Sequence, residues 1–280
     1  MQDNPIDDAL GRPNPNVDRD RELLPGMIDA VRSSGIHMVT RYPDFPEYRR
    51  REDVVSAIHA NDAASLQHLK PRLMKLRPEA RWVEDELESG PLPEGEWWVA
   101  DPVEGNINHC HGIPDWGVTA TLVRDNSPTV TTVYLPLTDQ LYSAVRGGGS
   151  TLDGTALRTS SKNDLGGAMV GTGQARPGES AETFKRIGLS MTAMLNKALV
   201  VRASVPATLL LAHVAAGRME AFWQFSQVRS GLLAGALLVS EAGGIVSDVA
   251  GNPWNLNSPN FLASAPPLHP AAVDVLSSIP

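Results

Sequence analysis

The chain reads as an α/β protein, with an α+β first half and a second half in which strands alternate with helices. Three observations lead there. Two long amphipathic stretches lie near the N-terminus, three β-branched segments follow in succession, and apolar strands then alternate with helical patterns to the end. The 280 residues suffice for one large domain or two tightly joined halves, and 42% of them are apolar, enough for a sizeable core.

The elements follow in order. Residues 1–20, rich in Pro, Asn and Asp, are expected to be a loose arm. Over 21–39, Leu23, Leu24, Met27, Ile28, Val31 and Ile36 fall at helical spacing. A Pro- and Arg-rich link over 42–51 precedes a second helical stretch, 52–76. Its buried face would be Val54, Val55, Ile58, Ala64, Leu66, Leu69, Leu73 and Leu76, and Pro71 should kink or split it. The Arg49-Arg50-Arg51 run is followed at once by Glu52 and Asp53 and reads as a solvated helix end. After Pro78 the pattern changes to strands at 97–100, 116–123, 129–135 and 140–145, with turns at 125–128, 147–149 and 153–154. Further on, strands at 168–173, 221–223, 245–247 and 260–264 alternate with helices at 180–195, 206–217 and 231–242, the last stopping on Gly243-Gly244. The expected division is an arm (1–20), an α+β half (21–163) and an α/β half (164–280), the halves forming one compact module.

Composition excludes several roles. A net charge of −8 offers no basic stripe for a nucleic-acid partner. Cys110 is the sole cysteine, so neither an intrachain disulfide nor a cysteine-based metal site can form. The start is polar and acidic, unlike a signal peptide, and no apolar window is long enough to span a membrane. The expectation is a cytoplasmic protein acting on a small molecule.

The segment Trp98-Val99-Ala100-Asp101-Pro102-Val103-Glu104-Gly105-Asn106-Ile107-Asn108-His109-Cys110-His111-Gly112 holds the densest chemistry. A carboxylate ends a buried strand, a proline follows, and a second carboxylate comes three positions on. Two oxygen ligands on a tight turn, with carbonyls between them, suit a hard cation such as Mg²⁺, and Gly105 lets the backbone approach an anion. An acidic turn at a strand end is the plainer reading of the same spacing. His109 and His111 flank Cys110 near Glu104, and a histidine beside a carboxylate is an acid–base pair that works near neutral pH. A turn-capping histidine and a solvent-facing one are the structural alternative, and Cys110 is expected to be a small buried residue. Trp97, Trp98 and Trp116 read as core, and His269, in a Pro-rich tail, as exposed.

This segment resembles the Asp-Pro-hydrophobic-Asp-Gly-Thr signature of the inositol monophosphatase family. The resemblance continues through Pro78-Glu79-Ala80-Arg81-Trp82-Val83-Glu84-Asp85-Glu86, similar to an upstream Gly-Glu-Glu motif. It extends to the hairpin from Val133 to Gly149 and to Ala234-Gly235-Ala236-Leu237-Leu238-Val239-Ser240-Glu241-Ala242-Gly243-Gly244, close to a second signature. About 240 residues can be laid on the family pattern. The resemblance implies a layered α/β/α/β sandwich, with an antiparallel sheet in the first half and a mixed one in the second. The cleft would lie between the halves, and the protein would be a homodimer. The implied activity is phosphomonoester hydrolysis, in which carboxylates hold two or three Mg²⁺ ions.

Carried over residue by residue, the resemblance makes Asp101, the carbonyl of Val103, Glu104 and Asp85 (or Glu86) the metal-binding set. Asp101, Glu104, Asn106 and His109 are the catalytic candidates, and Gly105, Asn106, Asn108 and Gln224 the substrate-binding ones. Five departures stand out. Glu104 replaces an Asp, moving its oxygens by about an ångström. Asn106 replaces a water-polarising Thr, and an amide cannot relay a proton in the same way. Ser230-Gly231 replaces a Trp-Asp whose acid is a metal ligand. Val205-Pro206 replaces a pocket-lining Gly-Ser, and His59 falls where a helical Asp is expected. With that acid absent, at most one Mg²⁺ is expected. Three function classes remain open: a phosphomonoesterase with a depleted metal site, a metal-independent acid–base enzyme (isomerase, lyase, dehydratase or cyclase) in the same pocket, and a non-catalytic binding member.

Overall fold

The computed structural model describes residues 14–43, 48–84, 89–175, 178–226 and 228–280. Residues 14–20 are not a loose arm; residues 1–13 lie outside the described segments. A short helix, α1 (Val17–Arg21), packs onto the molecule because its Asp20, fully buried, receives both terminal nitrogens of Arg124 at 2.7 and 3.1 Å and the amide of Asn14 at 2.9 Å.

Two long helices follow, α2 (Leu24–Val39) and α3 (Arg51–Leu76). α3 starts where the Asp53 carboxylate accepts the backbone N–H groups of Arg50 (3.0 Å) and Arg49 (3.3 Å), so the Arg run is a helix end. It is not split at Pro71. That residue lies near the last turns, where it removes only the bond to the carbonyl of Gln67. The buried stripe is narrower than the apolar pattern suggests: Asn61, Ser65, Leu69 and Leu73, four residues apart, are buried, whereas Val55 is 39% exposed.

The first sheet has seven strands in sequential order: β1 (Arg81–Trp82), β2 (Glu96–Glu104), β3 (Gly117–Arg124), β4 (Ser127–Leu135), β5 (Gln140–Val145), β6 (Gly149–Leu152) and β7 (Thr155–Ala156). It is antiparallel from β2 onward, but β1 runs parallel to β2, so the sheet is mixed rather than purely antiparallel. Asp125 and Asn126 turn the β3–β4 hairpin with φ of 49° and 63°, which frees Ser127 and Pro128 to begin β4. A five-residue helix, α4 (Asn106–Cys110), interrupts the link between β2 and β3.

The second half contributes β8 (Met169–Thr172), α5 (Ala181–Leu195), β9 (Val200–Ala203), α6 (Ala207–Ala215), β10 (Ala221–Gln224), α7 (Arg229–Glu241), β11 (Ile245–Ser247), β12 (Phe261–Ser264) and α8 (His269–Leu276). Its sheet has the order β11-β12-β10-β8-β9. The β8 pairs are parallel and the β12 pairs antiparallel, a mixed sheet as expected.

Apolar faces set the layers. Met27, Val31, Leu69 and Leu73 of α2 and α3 pack on Trp98, Leu122 and Val130 of the first sheet. α6 and α7 are buried between the sheets, touching Val133 and Tyr142 on one side and Phe222 and Phe261 on the other. α5 and α8 cover the outer face of the second sheet and add a helical layer to the α/β/α/β order. Gly235 allows α6 and α7 to meet, since a Cβ there would lie 2.2 Å from Leu211 Cδ1. His269 is buried rather than exposed, with Nδ1 2.7 Å from Ser264 Oγ and Nε2 3.1 Å from Ser247 Oγ. Among the described residues no helix is long and apolar enough to cross a membrane.

Candidate active site

The acidic turn closes β2 at the junction of the two sheets. β2 carries more of it than the sequence suggests, running through Asp101, Pro102 and Val103 to Glu104 with a register shift against β3 between Asp101 and Glu104. Asp101 is half-buried, and its Oδ1 accepts the N–H of Val103 at 3.0 Å, which fixes the carboxylate against the backbone of the turn. Gly105 has φ +80°, and a Cβ on it would lie 2.9 Å from both the carbonyl oxygen of Asp115 and Cδ of Pro206. Conformation and space both require glycine here, so its role is to let the turn pass between two walls.

Glu104 points inward. It is 4% exposed, and its Oε2 lies 3.0 Å from Thr208 Oγ1 on α6, which in turn lies 2.8 Å from the carbonyl oxygen of Gly231 on α7. A hydroxyl has one proton for these two acceptors. When Thr208 donates to the Gly231 carbonyl, the other contact is made by a proton on Glu104. Burial pushes the Glu104 carboxyl up to about 7, against the pull of the Thr208 hydroxyl, which agrees with that arrangement.

Asn106 turns the other way, into α3. Its Nδ2 donates to Asp62 Oδ1 (2.6 Å) and the Ile58 carbonyl (3.0 Å), while its Oδ1 accepts from Asn61 Nδ2 (3.0 Å). Every strong donor and acceptor of the amide is in use, so Asn106 orients Asp62 and is not itself a group for polarising water. Asp62 is an acid beside this turn that sequence reasoning missed. His59, assigned to that helical position, is exposed, and Asp62 comes three residues later on the turn that faces α4. The signal was available in the four-residue spacing of the buried Asn61, Ser65, Leu69 and Leu73, which puts Asn61 and its neighbour Asp62 toward the first sheet. Burial pushes Asp62 up to about 6, moderated by the Asn106 hydrogen bond and the nearby His59.

Two further candidates are structural. His109 is 1% exposed, with Nε2 3.0 Å from the Met38 carbonyl and Nδ1 3.1 Å from Asn61 Nδ2, and its ring stands edge-on to Trp116 at 4.7 Å. Both ring nitrogens are taken and burial lowers its pKa, so it is a neutral core imidazole and not the base of an acid–base pair. Asn108 is buried and donates to the carbonyls of Asp115 and Val205, both at 2.8 Å. It fastens the turn to the lead-in of α6 instead of meeting a substrate. Cys110 is buried, as expected, and burial raises its thiol pKa. His111 is exposed, with Nδ1 2.8 Å from the carbonyl of Ile107. Gln224, at the end of β10, is buried and donates to the Ser226 carbonyl at 2.5 Å.

The metal expectation can be tested on these donors. Among the described residues no three His, Cys, Asp or Glu side chains converge closely enough to hold an ion. Asp85 and Glu86 lie outside the described residues. Gly231 offers no side chain, and Glu104 is sealed against Thr208. Among the described residues, Asp101 with the Val103 carbonyl fits part of the shell of one hard cation.

Comparison with known proteins gives a consistent result. The profile of the inositol monophosphatase family matches residues 36–279. An inositol-1-monophosphatase of Rhizobium meliloti is 30% identical over 234 residues, covering 82% of this chain and 86% of that protein. A Pseudomonas aeruginosa protein named Nus factor SuhB is 36% identical over 155 residues, 55% of this chain and 57% of that one. Among solved structures, the native extragenic suppressor protein suhB of Bartonella henselae superposes with a TM-score of 0.78 at 24% identity, covering 92% of this chain and 99% of that one. An inositol monophosphatase from Anabaena superposes with a TM-score of 0.76 at 22% identity, covering 94% and 98%.

Proposed function

The chain belongs to the inositol monophosphatase family, and from that premise we propose that it hydrolyses a small phosphomonoester with a site reduced to one Mg²⁺ ion. The observation that carries the reading is the 2.6 Å contact between Asn106 and Asp62, which holds an acid of α3 against the loop that follows Asp101. Asp101 and the carbonyl of Val103, with Asp85 or Glu86 from the upstream motif, would hold the ion, and its chemistry there is neutralisation of phosphate charge. The chain's own residues do the rest. Asp62, with a pKa of about 6, suits the task of taking a proton from an attacking water near neutral pH, and Asn106 fixes its orientation. The turn around Gly105 brings backbone close to the bound anion. Of the two histidines on which a metal-independent acid–base reading rests, His109 is sealed in the core and the exposed His111 lies with Nδ1 2.8 Å from the Ile107 carbonyl.

The test is calorimetric titration of metal-free protein with Mg²⁺, wild type beside Asp101→Asn, and phosphate release from a panel of phosphomonoesters in the same buffers. The expected result is one saturable event lost in Asp101→Asn. Phosphate release should be metal-dependent and fall by about 100-fold or more in Asp62→Asn. No binding at millimolar Mg²⁺ together with no phosphate release would overturn the reading.

A further inference from the structure

The carboxylate of Glu104 and the backbone of Gly231 meet across the junction of the halves. A Cβ built on Gly231 would lie 3.8 Å from Glu104 Oε1, 3.8 Å from Thr208 Oγ1 and 3.9 Å from Ala207 Cβ. Those are ordinary van der Waals distances, so the first atom of a side chain fits at 231 with an oxygen of Glu104 against it. The other oxygen of Glu104 is held by Thr208, which is itself tied to the Gly231 carbonyl. The arrangement is buried: Glu104 is 4%, Thr208 0% and Ser230 3% exposed.

We infer that Glu104, held by Thr208, fills the place of the side chain that Gly231 lacks and so closes a second cation position rather than serving it. The two departures from the family pattern are then one coupled change. A longer acid at 104 reaches across to the α-carbon of 231, which is free to receive it because it carries no side chain. An acid at 231 would set a second carboxyl beside Glu104 in a buried site, where without an intervening cation the two cannot both ionise. The inference rests on the single-ion reading only for the position of the remaining ion at Asp101.

The swap is testable in both directions, with bound Mn²⁺ per chain counted by equilibrium dialysis and Tm followed for each metal-free variant. Gly231→Asp alone is expected to bind no more Mn²⁺ than the wild type and to melt lower, because the new acid meets Glu104. The double variant Glu104→Asp/Gly231→Asp shortens one acid as it supplies the other, and should bind one more ion per chain than the wild type. Glu104→Gln keeps the volume and the contact to Thr208, so at pH 6, where the carboxyl still carries its proton, it should keep the wild-type Tm and the wild-type stoichiometry. The inference is overturned if Gly231→Asp alone gains an ion at the wild-type Tm, if the folded double variant gains none, or if Glu104→Gln loses the ion that the wild type binds. A double variant that fails to fold leaves the Glu104→Gln result to decide. Because the gain is counted relative to wild type, a wild type that binds no ion refutes the single-ion function and leaves this test intact.

Discussion

At the scale of single residues, the loop after β2 separates groups that look alike in one dimension. Asp62 and His59 are one turn apart on α3, yet only Asp62 meets Asn106. Its raised pKa has a consequence for stability. The folded state keeps a proton to about pH 6 that the unfolded chain releases near pH 4, so the group's contribution is full below pH 4 and is lost as pH rises through 6. Asp62→Asn, neutral throughout, is therefore expected to be more stable than the wild type at pH 8 by about 1–2 kcal/mol, the partial exposure screening the charge, with no gain at pH 4. Urea denaturation of metal-free protein at the two pH values checks this. A variant less stable at pH 8 would mean that the ionised carboxylate has a stabilising partner.

At the scale of elements, α1 shows how a polar stretch can be ordered by one ion pair. Asp20 and Arg124 are joined by two bonds, and Arg124 also donates to Glu96 Oε1 at 2.8 Å, whose other oxygen accepts from Arg77 at 2.6 Å. Burial alone would raise the Glu96 pKa, but the two guanidinium groups hold it below the usual carboxylate value. Removing one partner of such a network strands a buried charge. Asp20→Asn is expected to cost about 3 kcal/mol in urea denaturation. Adding Arg124→Met should cost less than the sum of the two single changes. Additive losses would show that α1 docks through its apolar contacts alone.

For the whole molecule, the halves are joined by polar fasteners at the mouth of the site as well as by the apolar layer of α6 and α7. Asn108 is the clearest, with two donated bonds to carbonyls on either side of the turn. Asn108→Leu keeps the volume and leaves both carbonyls without that donor, and should lower stability by about 2–3 kcal/mol. A denaturation midpoint unchanged from wild type would place those carbonyls in contact with water instead. The same geometry makes Gly105 intolerant of a side chain, because the wall it passes is backbone of Asp115 and the ring of Pro206.

The sequence by itself determined the class of fold, most of its helices and long strands, the family, and the place of Asp101 at the end of a buried strand. These are carried by local periodicity and short motifs, which are written along one dimension. Its errors share one cause. The ordering of residues 14–20 depends on Arg124, a hundred positions away. The short strands β1, β6, β7 and β9 exist because neighbouring strands pair with them. His109 and Asn108 carry functional groups whose meaning depends on what faces them, and only tertiary structure supplied the Met38 and Val205 carbonyls as partners. In the same way, Glu104 and Gly231 read as two separate losses along the chain. Folding brings the carboxylate and the empty α-carbon together, because β2 ends against the first turns of α6 and α7, and a contact across 127 positions of sequence has no local signature.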